Sequence, residues 1–133
     1  MRNISESNKI NYSFSKSERL CSKKLFDALF SGGTSFLVYP LKIIFTEVPI
    51  HGNKPAQAAF AVSRKIFRKA VTRNLIKRRM REAYRLNKHY FYTRLGDKEL
   101  ALIFIYVGKE IFDFHKIESS LKRGLNSIVK NLF

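Results

Sequence analysis

The sequence predicts a single α+β domain whose elements follow one another in the order αββαβα. Two observations carry this prediction. Helical and strand-like hydrophobic patterns alternate along the chain, and residues 100–107 are almost wholly apolar, as in a strand buried on both faces. A length of 133 residues with 45% hydrophobic side chains suffices for one core but not for two. We therefore expect a sheet of at least three strands with helices packed against it.

The first half of the chain contains one helix and two strands in this interpretation. Ser22 is placed to cap a short helix that runs to about residue 31 and stops at Gly32 and Gly33. Residues 39–48 are rich in β-branched and aromatic side chains and predict a strand, with Pro40 near its start. Residues 49–55 form a loop, and residues 58–63 predict the second strand.

The second half contains two helices that flank the apolar strand. A basic helix is predicted over residues 69–87, and Gly108 ends the strand that follows it. Asp113 is placed to cap the last helix, which has an apolar stripe. That stripe consists of Ile117, Leu121, Leu125, Ile128 and Leu132. Residues 1–16 predict a flexible N-terminal arm, and residues 17–133 predict the domain.

The charge balance indicates a polyanionic partner. Lys and Arg number 26 against 10 Asp and Glu, which gives a formal net charge of +16. A protein with such an excess of positive charge usually binds nucleic acid, and an anionic membrane surface is the second candidate partner. No apolar run approaches the roughly 20 residues that span a bilayer. Binding to a membrane surface would need a helix with an exposed apolar face, whereas the basic helix is expected to use its apolar side for the core, so no membrane partner is expected. The single cysteine, Cys21, excludes an internal disulfide, and a cytoplasmic protein is expected.

The basic helix concentrates its cations on one side. At about 100° per residue, its basic residues and one asparagine share an arc of about 140°. This basic arc consists of Arg73, Asn74, Lys77, Arg78, Arg81 and Arg85. Glu82 is the only acid in residues 69–87, whereas a merely solvated face would more naturally mix charges of both signs. Since arginine presents paired donors that suit phosphate, the arc predicts an RNA-binding surface.

A second basic group precedes the helix and extends this surface. It consists of Arg64, Lys65, Arg68 and Lys69. A strand-to-helix turn can place these donors near the N-terminus of the helix, which itself attracts anions. Arg79 departs from the pattern because it projects toward the apolar half, where its head is expected to reach an edge.

No catalytic or metal-ligating residue of the protein is predicted. His51, His89 and His115 are scattered, and no histidine or cysteine pair has a spacing typical of a metal site. The acids are sparse and show no paired-carboxylate pattern of a two-metal nuclease. A self-sufficient nuclease is therefore not expected.

Residues 59–84 resemble the signature region of the bacterial ribonuclease P protein subunit. That family carries a strand ending in Val-Ser/Ala-(Lys/Arg)-Lys, followed by a helix with Ala-x-x-Arg-Asn-Arg-x-Lys-Arg-x-x-Arg-Glu. The residues of this chain that match the spacing are Ala70, Arg73, Asn74, Lys77, Arg78, Arg81 and Glu82. Leu75 departs from it, standing where the family commonly has arginine. The resemblance covers about residues 17–130.

The resemblance implies a fold and a mechanism. The fold is a ribosomal-protein-like two-layer sandwich with a mixed sheet and a left-handed βαβ crossover, although right-handed crossovers are the default. The implied function is that of a ribonuclease P subunit, which binds the catalytic RNA and the 5′ leader of precursor tRNA. Hydrolysis is carried by the RNA with Mg²⁺ bound to it, and the protein needs no organic cofactor.

The same resemblance implies a cleft for the single-stranded leader, lined by Phe26, Phe30 and an aromatic of the first strand, Phe45. Aromatic rings stack on unpaired bases with little sequence preference. From spacing alone, however, Phe26 and Phe30 are also typical of core residues.

A different class of function is a general RNA-binding or ribosome-associated protein without a role in cleavage. Charge does not separate the two hypotheses, because both need a basic surface. The matched spacing from Arg73 to Arg81 favours the ribonuclease P subunit.

Overall fold

The computed structural model describes residues 12–133 and confirms the α+β class. A 3-10 turn at Lys16–Glu18 precedes three helices and four strands. In chain order these are α1 (Lys23–Gly32), β1 (Thr34–Val38), β2 (Leu41–Glu47), β3 (Ala56–Val62), α2 (Ala70–Leu95), β4 (Leu100–Tyr106) and α3 (Phe114–Leu132). Within residues 12–133, no helix combines the length and the apolar character needed to cross a bilayer.

The structure adds a strand that the predicted order lacks. β1 pairs with β2 in an antiparallel hairpin, so the observed order is αβββαβα. The predicted strand over residues 39–48 was wrong at its start, because Tyr39 and Pro40 form the hairpin turn and β2 begins at Leu41. β1 is a short edge strand with mostly exposed side chains, and such a strand lacks the alternating pattern that marks a half-buried one.

The sheet is mixed and has the strand order β1-β2-β4-β3. β4 lies between β2, to which it is antiparallel, and β3, to which it is parallel. The connection from β3 to β4 is therefore a crossover that contains the whole of α2. This central position explains why the side chains of β4 are almost all buried. The hand of the crossover stays a prediction.

Helices lie on both faces of the sheet. α2 and α3 pack together and cover one face, where Ile43, Leu102 and Phe104 belong to the larger core cluster. α1 lies on the other face, where Leu29 and Ile103 belong to a smaller cluster. The sheet and the α2–α3 pair are thus the two main layers, and α1 leaves part of the second face open.

α2 extends eight residues beyond its predicted end at residue 87. The extension continues the buried side of the helix, since Lys88, Phe91 and Leu95 are at most 2% exposed. Gly96 ends the helix with φ of 65°, a conformation that glycine adopts without steric cost.

The predicted helix caps are confirmed, and part of the predicted arm is placed. The side chains of Ser22 and Asp113 accept hydrogen bonds from the backbone N–H groups of Leu25 and Lys116. Of the arm predicted over residues 1–16, residues 1–11 lie outside the described residues. Phe14, which is described, packs edge-to-face against aromatic rings of β3 and α2.

Gly33→Ala is expected to lower the free energy of unfolding by about 1–3 kcal/mol, because overpacking strains a well-filled site. A Cβ at Gly33 would lie 2.5 Å from the carbonyl oxygen of Leu29 and 2.8 Å from Cγ2 of Ile44. Gly32→Ala is the matched control, since its Cβ would meet nothing within 4 Å. Urea unfolding of both variants measures the difference, and equal stabilities would contradict the close packing of α1 on β2.

Candidate nucleic-acid interface

The start of α2 is fixed by a turn that Arg73 holds in place. Phe67 is 9% exposed and packs near Tyr106, which anchors the turn to the core. The guanidinium Nη1 of Arg73 donates to the carbonyl oxygens of Phe67 and Arg68, at 2.9 and 2.7 Å. One predicted RNA-binding residue therefore already supports the backbone from which the helix begins.

The second basic group lies on this turn. Arg64, Lys65, Arg68 and Lys69 are all exposed. The backbone N–H of Lys65 donates to Ser63 Oγ, and the N–H of Phe67 donates to the Ser63 carbonyl. The structure thus brings the group to the N-terminal end of α2, next to the basic arc.

Four neighbouring residues of the basic arc point to solvent and form no ion pair among the described residues. We call them the open basic face: Asn74, Lys77, Arg78 and Arg81. Three of them are exposed and Lys77 is half-buried. The four ion pairs between residues of the 12–133 range involve none of them. This face therefore has cationic and amide donors available for an external anion.

Arg85, the last residue of the predicted arc, is already engaged. It forms an ion pair with Glu82, and its Nη1 donates to the carbonyl oxygen of Tyr12 at 3.1 Å. Arg79 reaches an edge as expected, and its Nη1 donates to the carbonyl oxygen of Phe112 at 2.7 Å. Both arginines therefore tie α2 to neighbouring segments.

The three predicted cleft aromatics do not lie together. Phe26 is half-buried in the smaller cluster beneath α1, and Phe30 is 60% exposed. Phe45 lies on the opposite face of the sheet, is 3% exposed and packs edge-to-face with Phe36. The assignment of Phe45 to the cleft is corrected, because successive strand residues alternate between faces and it is Ile44 that faces α1.

Other residues of the sheet face the same side as Phe26. Leu37, Lys42, Ile105 and Ala61 are neighbours in the strand register and form a row across all four strands. Ile105 and Ala61 pack in the cluster beneath α1, Leu37 is 62% exposed, and Lys42 is exposed. This row was not predicted from the sequence, although the lone Lys42 in an apolar strand was a usable signal.

A buried polar cluster that was not predicted from the sequence attaches the segment before α1 to α2. We call it the Glu18 cluster: Glu18, Lys88, Tyr92 and Tyr84. Lys88 Nζ and the Tyr92 hydroxyl both donate to Glu18 Oε2, at 2.5 and 2.7 Å. The backbone N–H and hydroxyl of Ser15 donate to Glu18 Oε1, at 3.0 and 2.8 Å.

The hydrogen bonds decide the ionisation of this cluster. Burial by itself would raise the pKa of Glu18, but the donors from Lys88, Tyr92 and Ser15 outweigh it and lower the pKa to about 2. Burial raises the pKa of Tyr84 and of Tyr92, so both hydroxyls stay protonated. Glu18 and Lys88 therefore form a charged pair that is 0% and 2% exposed.

The described residues contain no evident metal site. Among residues 12–133, no three side chains of His, Cys, Asp or Glu come together in a group that could hold a metal ion. The open basic face offers donors for anions, and the exposed ring of Phe30 offers a surface for flat apolar groups.

Comparison with known proteins places these features in a family. The model of the Ribonuclease P family matches residues 14–129. The chain is 35% identical over 123 residues to a ribonuclease P protein component from Porphyromonas gingivalis, covering 91% of this chain and 90% of that protein. It is 33% identical over 128 residues to the protein of that name from Chlorobium phaeobacteroides, covering 87% and 88%.

Solved structures agree with the sequence comparison. The RNase P protein from Thermotoga maritima superposes with a TM-score of 0.65 at 27% identity, covering 83% of this chain and 96% of that one. The Staphylococcus aureus RNase P protein has the same fold, with a TM-score of 0.65 at 22% identity over 85% of this chain and 96% of that one. The mixed four-stranded sheet, the basic α2 and the matches over most of the chain show that this protein belongs to the ribonuclease P protein component family.

Proposed function

We propose that this protein is the protein subunit of ribonuclease P and acts in tRNA processing as part of an endoribonuclease holoenzyme. In this proposal it binds the catalytic RNA through the open basic face and the turn before α2. It also holds the 5′ leader of precursor tRNA and so promotes removal of that leader. Membership of the family supports the role in tRNA processing.

One observation carries the proposed RNA contact. The open basic face consists of donors with no acidic partner among the described residues, at the end of α2 that also carries the exposed basic turn. Holding like charges one helical turn apart costs free energy, which a bound polyanion would offset. Arginine guanidinium groups match phosphate oxygens with two parallel hydrogen bonds, so Arg78 and Arg81 are suited to an RNA backbone.

The proposed leader site lies on the open part of the sheet face beside α1. Phe30 offers an exposed ring for base stacking, and Phe26 lies in the same helix. Lys42 adds an exposed cation within the row that also contains Leu37 and Ile105. Stacking with one backbone contact reads little sequence, which suits leaders of varied sequence.

In the same proposal the RNA carries the chemistry. Mg²⁺ bound by the RNA would activate the water that cleaves the phosphodiester, and the protein would supply binding and orientation. Its cations would lower the Mg²⁺ concentration that the RNA needs, because they neutralise part of the same phosphate charge. The protein would act in the cytoplasm, together with its RNA.

The test is a cleavage assay on precursor tRNA with the protein alone, the RNA alone and both together. We expect no cleavage by the protein alone, and cleavage at lower Mg²⁺ when protein and RNA are combined. Sustained cleavage by RNA-free protein would overturn the proposal. Equal binding to bulk RNA and to ribonuclease P RNA would instead indicate a general RNA-binding protein.

Phe30→Ala is expected to weaken binding of leader-bearing precursor tRNA to the holoenzyme by at least about fivefold, since stacking of one base is worth roughly 1–3 kcal/mol. Binding of mature tRNA, which has no leader, should not change. Phe133→Ala is the matched control, because Phe133 is 70% exposed and lies at the end of α3. An equal loss for both tRNA forms would contradict the leader site.

A further inference from the structure

A second, smaller cleft lies between α2 and α3, away from the open basic face. It has a volume of about 100 Å³. Its lining residues come from both helices and include no acid: Asn87, Tyr90, Phe91, Arg94, Lys122, Leu125 and Asn126. Neither the basic arc nor the proposed leader site uses any of them.

The floor of this α2–α3 cleft is apolar and its ends are bridged by polar side chains. Phe91 and Leu125 are 2% and 4% exposed and form the floor. Asn87 Nδ2 donates to Glu118 Oε2 at 3.0 Å on one side, and Arg94 Nη1 donates to Asn126 Oδ1 on the other. These bridges hold the two helices at a fixed separation, so the cleft is preformed.

The rim presents an aromatic ring that is already ordered. Tyr90 is 67% exposed, and the guanidinium carbon of Arg94 lies 5.1 Å from the centre of its ring. The Arg94 guanidinium covers one face of the Tyr90 ring and holds the ring in place. The exposed part of the ring is available to stack on a flat ligand. Lys122 is exposed beside it and has no acidic partner among the described residues.

We propose that the α2–α3 cleft binds one unpaired nucleotide of an RNA strand, with the base stacked on Tyr90 and the phosphate bound by Lys122. This inference rests on the proposed function, which supplies RNA as the partner. An exposed aromatic ring beside an arginine and a lysine is the combination by which proteins hold unpaired nucleotides. The amide oxygen of Asn87, whose NH₂ group is engaged, would accept a hydrogen bond from the base.

The cleft and the open basic face would contact different parts of the RNA. On a projection of about 100° per residue, Tyr90 lies about 170° from the centre of the basic arc. The helix therefore separates the two surfaces. One strand segment would lie on the basic face while an unpaired nucleotide from another segment entered the cleft.

A single-stranded uridine decamer with 5-iodouridine at its centre tests this proposal on the full chain. Irradiation is expected to crosslink the RNA to Tyr90, located by mass spectrometry of the digested protein. Tyr90→Ala should bind the decamer about fivefold to tenfold more weakly by fluorescence anisotropy. Tyr90→Phe should bind like the unmodified protein, and Lys122→Gln should reduce the salt dependence by about one phosphate contact.

The controls separate this proposal from the proposed function. Phe133→Ala and Lys109→Gln remove an exposed ring and an exposed cation elsewhere and should leave decamer binding unchanged. If Tyr90→Ala binds within twofold of the unmodified protein, the cleft proposal is overturned. The proposed function would still stand if Arg78→Ala with Arg81→Ala weakened binding of ribonuclease P RNA. If the Arg78→Ala and Arg81→Ala double variant bound ribonuclease P RNA as tightly as the unmodified protein, the proposed function would fail independently of the cleft proposal.

Discussion

Replacing Arg78 and Arg81 together by alanine is expected to weaken binding of ribonuclease P RNA by about 25-fold to 60-fold at 0.1 M salt. Each phosphate contact contributes about fivefold to eightfold at that concentration relative to 1 M salt, because log K changes by about 0.7–0.9 per contact for a tenfold change in salt. Both side chains are exposed and form no ion pair within residues 12–133, so their loss should not disturb the fold. Affinity measured across a salt series gives both the loss and the change in slope.

The matched control for this pair is Lys109→Gln with Lys116→Gln. It removes the same two positive charges from exposed positions outside the proposed surface. If both double variants weakened binding equally, net charge rather than the position of α2 would account for the affinity. An unchanged affinity and salt slope for the Arg78 and Arg81 variant would contradict the proposed interface.

Replacing Glu18 by alanine is expected to lower the free energy of unfolding by about 3–5 kcal/mol, because it leaves Lys88 buried without its counter-charge. Lys88 is 2% exposed, so its ammonium group has no route to solvent without local rearrangement. Urea unfolding at pH 7 measures the loss. Glu18→Met combined with Lys88→Met should lose less than Glu18→Ala, since no buried charge then remains unpaired. A larger loss in the double variant would contradict the paired arrangement.

The Glu18 cluster also predicts how the free energy of unfolding depends on pH. The pKa of Glu18 falls from 4.5 to about 2 on folding. A lowered pKa stabilises the folded state above the unfolded value, so this contribution is complete above about pH 5 and is lost as the pH falls toward 2. The contribution is about 3 kcal/mol, and Glu18→Ala should lack it. Unfolding measured between pH 5 and 2 should therefore show a shallower slope for the variant, and parallel slopes would contradict the lowered pKa.

Local patterns were enough to predict most elements of the fold. Ser22 and Asp113 each have a side chain that completes the first turn of a helix, and this interaction needs no distant partner. The strand over residues 100–107 was predictable because burial on both faces leaves an unbroken apolar run. β1 was missed because an edge strand is defined by its pairing with β2, which a local pattern does not encode.

The site was predictable where it depends on one helix and was not where it depends on tertiary contacts. The angular arc of α2 follows from helix geometry, so Asn74, Arg78 and Arg81 share a face as expected. Phe45 was assigned to the wrong face because a shift of one residue in strand register moves every side chain to the other side. Arg73 holds the turn by donating to carbonyl groups five and six residues earlier in the chain. The number and spacing of charges in the sequence do not indicate these hydrogen bonds.

The Glu18 cluster is the clearest case of a feature hidden from sequence. Glu18 and Lys88 are 70 residues apart and have ordinary surface-type side chains. Only the packing of the segment before α1 against α2 brings them together and excludes water. Their pairing therefore had no signal in composition, periodicity or motif.

The central position of β4 has a consequence for the synthesis of the chain. β2 and β3 both pair with β4 and not with each other, so a nascent chain that ends before Leu100 holds two strands with no common neighbour. α2 is translated before the strand that completes the surface on which it packs. Formation of the sheet from these distant segments must wait until β4 has left the ribosome. Until then the strongly cationic helix is exposed without its scaffold, beside the abundant RNA of the ribosome itself.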